Sequence, residues 1–123
     1  MEVKSYSILV VDDNEAIRSL VSVILEKLGL KVSSADNGKR GMDLFVNSKF
    51  DLVVTDFNMP GMNGIDLANK IKVKSPSTVI VLMTGEEKEF ILSIIKDTGV
   101  DRAIFKPFSF REMAETVQGL LQA

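Results

Sequence analysis

Ile8-Leu9-Val10-Val11-Asp12-Asp13-Asn14 is an apolar run that stops abruptly on acids. A short aliphatic run rich in β-branched residues fits a strand buried on both faces. The pattern returns twice: Leu52-Val53-Val54-Thr55 stops on Asp56, and Ala103-Ile104-Phe105 stops on Lys106-Pro107. If the three strands are parallel, their carboxyl ends meet along one edge. Three carboxylates and one ammonium then share a small volume. Like charges that close are strongly unfavourable unless something neutralises them. A divalent cation acting with Lys106 would do so.

Working outward, apolar runs alternate with helical patterns about five times. The spacing predicts strands over 7–11, 31–35, 51–55, 78–83 and 102–105. Ile17, Leu20, Val21, Ile24, Leu25 and Leu28 follow the spacing of an amphipathic helix, with Gly29 as its stop. A shorter helix runs from Gly38 to Ser48, and Asn63 caps one that carries Ile65, Ala68 and Ile71. Glu86 to Lys96 reads as the fourth helix. Ser109 and Glu112 have capping-box spacing ahead of Met113, Val117, Leu120 and Leu121. Asp12, Asp13 and Asn14 suit the start of the first helix, and Asp13 is expected to contribute to its cap. Strand–helix alternation implies a parallel sheet covered on both faces, and right-handed crossovers make it doubly wound. Ligands in such sheets bind at the carboxyl ends of strands, near the point where strand order reverses. The acids and Lys106 fall there.

The 123 residues fit one domain, 1–123, with one core and no linker or repeat beyond the β/α alternation. Fifteen basic and seventeen acidic residues give a net charge of −2, which argues against direct nucleic-acid binding. The chain has no cysteine and no histidine. Disulfides, thiolate or imidazole metal ligands, a histidine base and an internal phosphohistidine are therefore excluded. No apolar stretch approaches the roughly 18 residues needed to span a membrane. The polar start Met1-Glu2-Val3-Lys4-Ser5 is unlike a signal peptide. A soluble cytoplasmic domain is expected.

The remaining chemistry is that of carboxylate, hydroxyl, amine and backbone. Aspartate can attack phosphorus and form an acyl phosphate. Charge on the phosphoryl oxygens then has to be neutralised. Mg2+ prefers hard oxygen ligands and keeps several waters, and a lysine ammonium adds a fixed positive charge. Thr84 and Gly85 follow the run Val79-Ile80-Val81-Leu82-Met83 and reach the same edge. A hydroxyl or backbone N–H groups there could hold a further oxygen.

Four segments together resemble one family: Ile8 to Asn14, Asp51 to Gly64, Met83-Thr84-Gly85 and Lys106-Pro107-Phe108. Over about residues 5–121 the chain resembles the receiver domain of bacterial two-component response regulators, and is similar to the single-domain chemotaxis receiver. The resemblance implies a flavodoxin-like (βα)5 sandwich with strand order 2-1-3-4-5. It implies Asp56 as phosphoacceptor, and Mg2+ held by Asp12, Asp13, Asp56 and the backbone carbonyl of Asn58. It implies Lys106 pairing with the phosphoryl group behind a cis Lys106-Pro107 peptide, and Thr84 as switch hydroxyl. Its implied partners are a sensor histidine kinase or phosphotransfer protein, and a target protein on the helix 4–strand 5–helix 5 surface. Neither nucleic acid nor membrane is expected as a direct partner, and a monomer or weak dimer is expected. The family transfers and hydrolyses its own phosphoryl group without being an enzyme for other substrates. Since the chain ends after the fifth helix, no output domain is expected on it.

Three positions qualify the resemblance. The family usually carries Tyr or Phe three residues before the lysine; here that residue is Ala103. A weaker response to phosphate, or one routed through helix 4, is expected. Asn58 and Glu86 stand two residues after the phosphoacceptor and the threonine, where family members tune hydrolysis, so a short-lived phosphoryl group is expected. Helix 4 carries Phe90, Ile91, Leu92, Ile94 and Ile95, more apolar surface than one buried face needs. These residues either pack inward and pad the rim, or form a partner surface. Met59 and Met62 read as loop packing.

Two other function classes compete. Aspartate-nucleophile phosphatases use a general acid two residues after the nucleophile, but Asp56-Phe57-Asn58 has an amide there. A nucleotide or flavin module wants a phosphate-cradling loop after its first strand, where Asp12-Asp13-Asn14 repels phosphate instead.

Overall fold

The computed structural model describes residues 5–122. The reading of Met1 to Lys4 as part of a polar, signal-free start lies outside the described residues, as do residues 1–4 and 123 of the single-domain expectation. The elements alternate throughout: β1 Ser7–Val11, α1 Glu15–Lys27, β2 Lys31–Ala35, α2 Gly38–Asn47, β3 Leu52–Asp56, α3 Gly64–Lys74, β4 Val79–Thr84, α4 Lys88–Ile95, β5 Arg102–Phe105 and α5 Phe110–Gln122. All pairings are parallel, and the sheet order is β2-β1-β3-β4-β5. This is the expected doubly wound, flavodoxin-like arrangement. The winding reverses between β1 and β3, so the switch point lies beyond Val11 and Asp56.

The two-sided burial explains the unbroken apolar runs. Ile8 and Val10 of β1 face a layer built with Val21, Ile24 and Leu25 of α1 and Met113 and Val117 of α5. Leu9 and Val11 face the opposite layer, with Phe45 of α2 and Leu67, Ala68 and Ile71 of α3. Each fully buried aliphatic side chain contributes roughly 1.5–3 kcal/mol by leaving water. Met59 is buried in the second layer and Met62 packs against it, as loop packing requires.

Helix ends follow their local chemistry. Asn14, Asn37 and Asn63 each accept a backbone N–H of the first turn at 2.8–3.0 Å. The cap of α1 is therefore Asn14; Asp13, expected to share it, does not. The acidic step comes one residue too early to reach those N–H groups. Gly29 adopts φ +85°, and the N–H groups of Gly29 and Leu30 bond to Glu26 and Leu25. That doubly bonded left-handed stop is the reason a glycine ends α1. At α5, Ser109 Oγ accepts the Glu112 N–H at 3.0 Å.

Several boundaries shift from those expected. β3 and β4 are each shifted by one residue, starting at Leu52 and Val79 and ending at Asp56 and Thr84, because the ladder continues past the apolar residues: Phe57 N–H donates to Met83 O and Lys106 N–H to Thr84 O. α4 begins at Lys88 rather than Glu86 and stops at Ile95, and α2 stops at Asn47. No helix among the described residues is long and apolar enough to cross a membrane.

Candidate functional site

The register brings the chemistry together. Val11 pairs with Thr55, Asp56 with Met83, and Thr84 with Phe105. Asp12, Asp56, Thr84 and Lys106 thus leave the sheet along one edge. One carboxylate oxygen each from Asp12, Asp13 and Asp56 lies within 4.8 Å of the other two. Lys106 Nζ donates to Asp56 Oδ1 at 2.9 Å and lies 3.6 Å from Asp12 Oδ2. The Lys106-Pro107 peptide is cis.

Burial within the cluster is graded. Asp12 is buried, Asp56 nearly so, and Asp13 is exposed. Asp12 Oδ1 accepts the Asn14 N–H at 2.9 Å. Its other oxygen, Oδ2, is buried without a hydrogen-bond partner among the described residues. Burial pushes the Asp12 carboxyl above its ordinary value, and the neighbouring Asp56 and Asp13 charges push the same way. The Asn14 N–H and Lys106 oppose the rise. An orphaned buried oxygen beside two further carboxylates is a set of hard donors of the kind that Mg2+ prefers.

Thr84 is buried at the end of β4, and its hydroxyl accepts the Glu86 N–H at 3.0 Å. That bond closes a side-chain turn over Thr84-Gly85-Glu86, ahead of α4. Asn58 Nδ2 in turn donates to Glu86 Oε2 at 3.2 Å, linking the loops after β3 and β4. Ala103 is half-buried opposite Leu82, whereas Phe105 lies opposite Thr84. The aromatic ring therefore sits one pleat beyond the place where the family carries it.

The sequence reading missed two residues that shape the site. A side chain at Gly64 would run into the Asp56 carbonyl and Leu82, so α3 can start against the end of β3 only without one. Arg18 Nη1 donates to the Asp12 carbonyl at 2.8 Å. Its place one turn into α1 was legible, but an arginine on a helix reads as solvated unless its partner is known.

A family model for the response regulator receiver domain matches residues 8–118. The chain belongs to the response regulator receiver domains of two-component systems. It is 38% identical over 104 residues to the autoinducer 1 sensor kinase/phosphatase LuxN of Vibrio harveyi, covering 85% of this chain and 12% of that protein. It is 35% identical over 116 residues to the transcriptional regulatory protein ResD of Bacillus subtilis, covering 94% of this chain and 48% of that one. The chain thus spans half or less of the length of these relatives. Among solved structures, Vibrio cholerae chemotaxis protein CheY4 superposes with a TM-score of 0.89 at 28% identity, covering 95% and 99% of the two chains. The response regulator TrrA of Thermotoga maritima, solved with Mg2+ and BeF, gives a TM-score of 0.85 at 32% identity and covers 94% and 98%. Receiver domains are signalling switches, and the acidic pocket here is consistent with aspartate phosphorylation and Mg2+.

Proposed function

We propose that the chain, read as one receiver unit over 1–123, is a phosphorylation-controlled switch in which Asp56 accepts a phosphoryl group. The observation that carries this reading is the Lys106–Asp56 contact at 2.9 Å inside a cluster of three carboxylates. Asp56 is the carboxylate that Lys106 holds, and it retains slight access to solvent. Asp12, Asp13, Asp56 and the backbone carbonyl of Asn58 would hold Mg2+, which supplies neutralisation of the phosphoryl oxygens when bound.

An Asp56 carboxylate oxygen attacks phosphorus and forms a P–O bond. The bond from phosphorus to the donor breaks, P–N in a phosphohistidine or P–O in an acyl phosphate, and its electron pair leaves with the donor. Lys106 exchanges its pairing with the carboxylate for pairing with a phosphoryl oxygen. The Thr84 hydroxyl then donates to another phosphoryl oxygen and leaves the Glu86 N–H. Water later attacks phosphorus, the bond from the Asp56 oxygen to phosphorus breaks, and inorganic phosphate leaves with the water's protons shared between it and solvent, which restores the carboxylate. Asn58 and Glu86, joined at the mouth of the two loops, favour a short phosphoryl lifetime.

The partners in this reading are a histidine kinase or phosphotransfer protein and a target protein, in the cytoplasm where ATP-fed kinases act. The target meets the surface formed by α4, β5 and α5, which exposes Phe90, Leu92 and Phe110 to about half. Signalling proceeds by altered binding, not by turnover of another substrate. Intact-mass measurement after treatment with acetyl phosphate and Mg2+ tests the central step. The wild type should gain one phosphoryl mass and Asp56→Asn none. No gain on the wild type would reject the reading, and an equal gain on Asp56→Asn would move the acceptor elsewhere.

A further inference from the structure

We propose that Arg18 is a positioning residue for the metal-binding acids: it fixes the Asp12–Asp13 peptide so that both carboxylates face a common point. The proposal rests on the reading of Asp12 and Asp13 as Mg2+ ligands. β1 ends at Val11, and the β1–β3 register ends with Val11 opposite Thr55. The Asp12 carbonyl lies past that ladder and needs a donor of its own. Arg18 Nη1 supplies it at 2.8 Å from one turn into α1. Arg18 is itself anchored, because its backbone N–H donates to the Asn14 carbonyl at 2.9 Å and its carbonyl accepts the Ser22 hydroxyl at 2.8 Å.

The Asp12 carbonyl belongs to the same rigid peptide as the Asp13 N–H. Holding that oxygen therefore fixes the plane from which the Asp13 side chain departs. Asp12 has a second restraint, the Asn14 N–H on Oδ1. Asp13 has none, since its exposed carboxylate makes no hydrogen bond or ion pair among the described residues. Arg18 thus acts chiefly on Asp13, the ligand with least support of its own. Groups that orient metal ligands without touching the metal typically contribute tenfold or more to affinity.

Charge and geometry pull in opposite directions here, which makes the proposal decidable. Judged by charge alone, a guanidinium beside the acids repels a dication, so removing it would tighten Mg2+ binding. Judged as positioning, removing it loosens binding. Calorimetric titration with Mg2+ at fixed ionic strength compares the wild type with Arg18→Met, which keeps the apolar stem, and Arg18→Lys, which keeps the charge and a donor. Circular dichroism checks that each is folded. We expect about tenfold weaker binding for Arg18→Met, at the low end for such groups, and an affinity near wild type for Arg18→Lys. Acetyl phosphate labelling of Arg18→Met should be slow at limiting Mg2+ and reach the wild-type rate at saturation. Equal or tighter Mg2+ binding by Arg18→Met overturns the proposal, as does a labelling defect that persists at saturating Mg2+. If Arg18→Met does not fold, the neutral Arg18→Gln is judged by the same criteria. No saturable Mg2+ binding by the wild type would instead overturn the reading of the site itself.

Discussion

Asp12 is where the site opposes the stability of the fold. Its carboxyl is buried, with one oxygen orphaned, and burial raises its pKa above the reference value of 3.8. Without a cation the native state then binds the Asp12 proton more tightly than the unfolded state. Stability falls as pH rises through the window between 3.8 and the raised native value, and stays lower above it. Asp12→Asn removes the ionisable group and keeps the Asn14 contact possible. Without Mg2+ at neutral pH it should melt a few degrees above the wild type, the response of a small domain to about 1 kcal/mol. The gap should close below the window. Saturating Mg2+ should reverse the order, because binding at a hundred times Kd adds about 2.7 kcal/mol to the protein that binds it. A melting scan across pH with and without Mg2+ checks all three. A less stable Asp12→Asn in metal-free buffer would show that attraction to Lys106 outweighs the burial penalty. The ends of the apolar runs already disclosed Asp12, Asp56 and Lys106. The contacts of Arg18 and Gly64 were not legible, since a cationic helix residue and a glycine at a helix start acquire meaning only once the strand ends they touch are placed against them.

At the level of elements, α4 differs from the other helices. α1, α2 and α3 each start at an asparagine whose side chain accepts a backbone N–H, while Glu87 at the start of α4 makes no side-chain cap. α4 spans eight residues and buries only Ile91 fully; Phe90 and Leu92, about 100° to either side on a helical wheel, stay about half exposed. Of the two readings of its apolar excess, inward packing holds for Ile91 and in part for Ile94 and Ile95, but not for Phe90 or Leu92. The cap asparagines could be read from sequence because the cap is a local interaction. The late start of α4 could not, because Glu86 and Glu87 are ordinary helix formers by composition yet lie ahead of the helix. Leu92→Asp tests whether the exposed apolar pair is functional. Melting should change by no more than about 0.5 kcal/mol in stability, as for other surface substitutions. Self-association or target binding of the beryllofluoride-treated protein, followed by sedimentation, should weaken at least tenfold, as when a central anchor is lost. Unchanged assembly and binding would make Phe90 and Leu92 rim padding.

For the whole molecule, the question is how a phosphoryl group on Asp56, in the proposed function, would reach the α4–β5–α5 surface. A doubly wound sheet could be read from the alternation, but the strand order came through family resemblance, because periodicity does not say which strands are neighbours. That order puts β4 and β5 between the acid cluster and the far edge of the sheet: Thr84 and Lys106 are joined by a backbone bond of 2.8 Å, and Thr84 lies opposite Phe105. With Ala103 as a half-buried methyl opposite Leu82, no ring three residues before Lys106 is available to follow the threonine. The connection that remains runs from the Thr84 hydroxyl through the Glu86 N–H to the uncapped start of α4. Further along, the α4–β5 connection is fastened to α3, because Asn69 Oδ1 accepts the Gly99 N–H at 2.7 Å and Lys72 pairs with Asp101 at 2.7 Å. A side chain at Gly99 would collide with the Ala68 carbonyl, so that contact is close as well as bonded. Phosphorylation should therefore move the start of α4 while 98–104 holds still. Amide chemical shifts measured with and without beryllofluoride and Mg2+ should change most over 84–92, and little across 98–110 apart from the immediate neighbours of Lys106. Changes across 98–110 as large as those at Thr84 would show that β5 transmits the signal without an aromatic residue at Ala103, and the α4 route would be wrong.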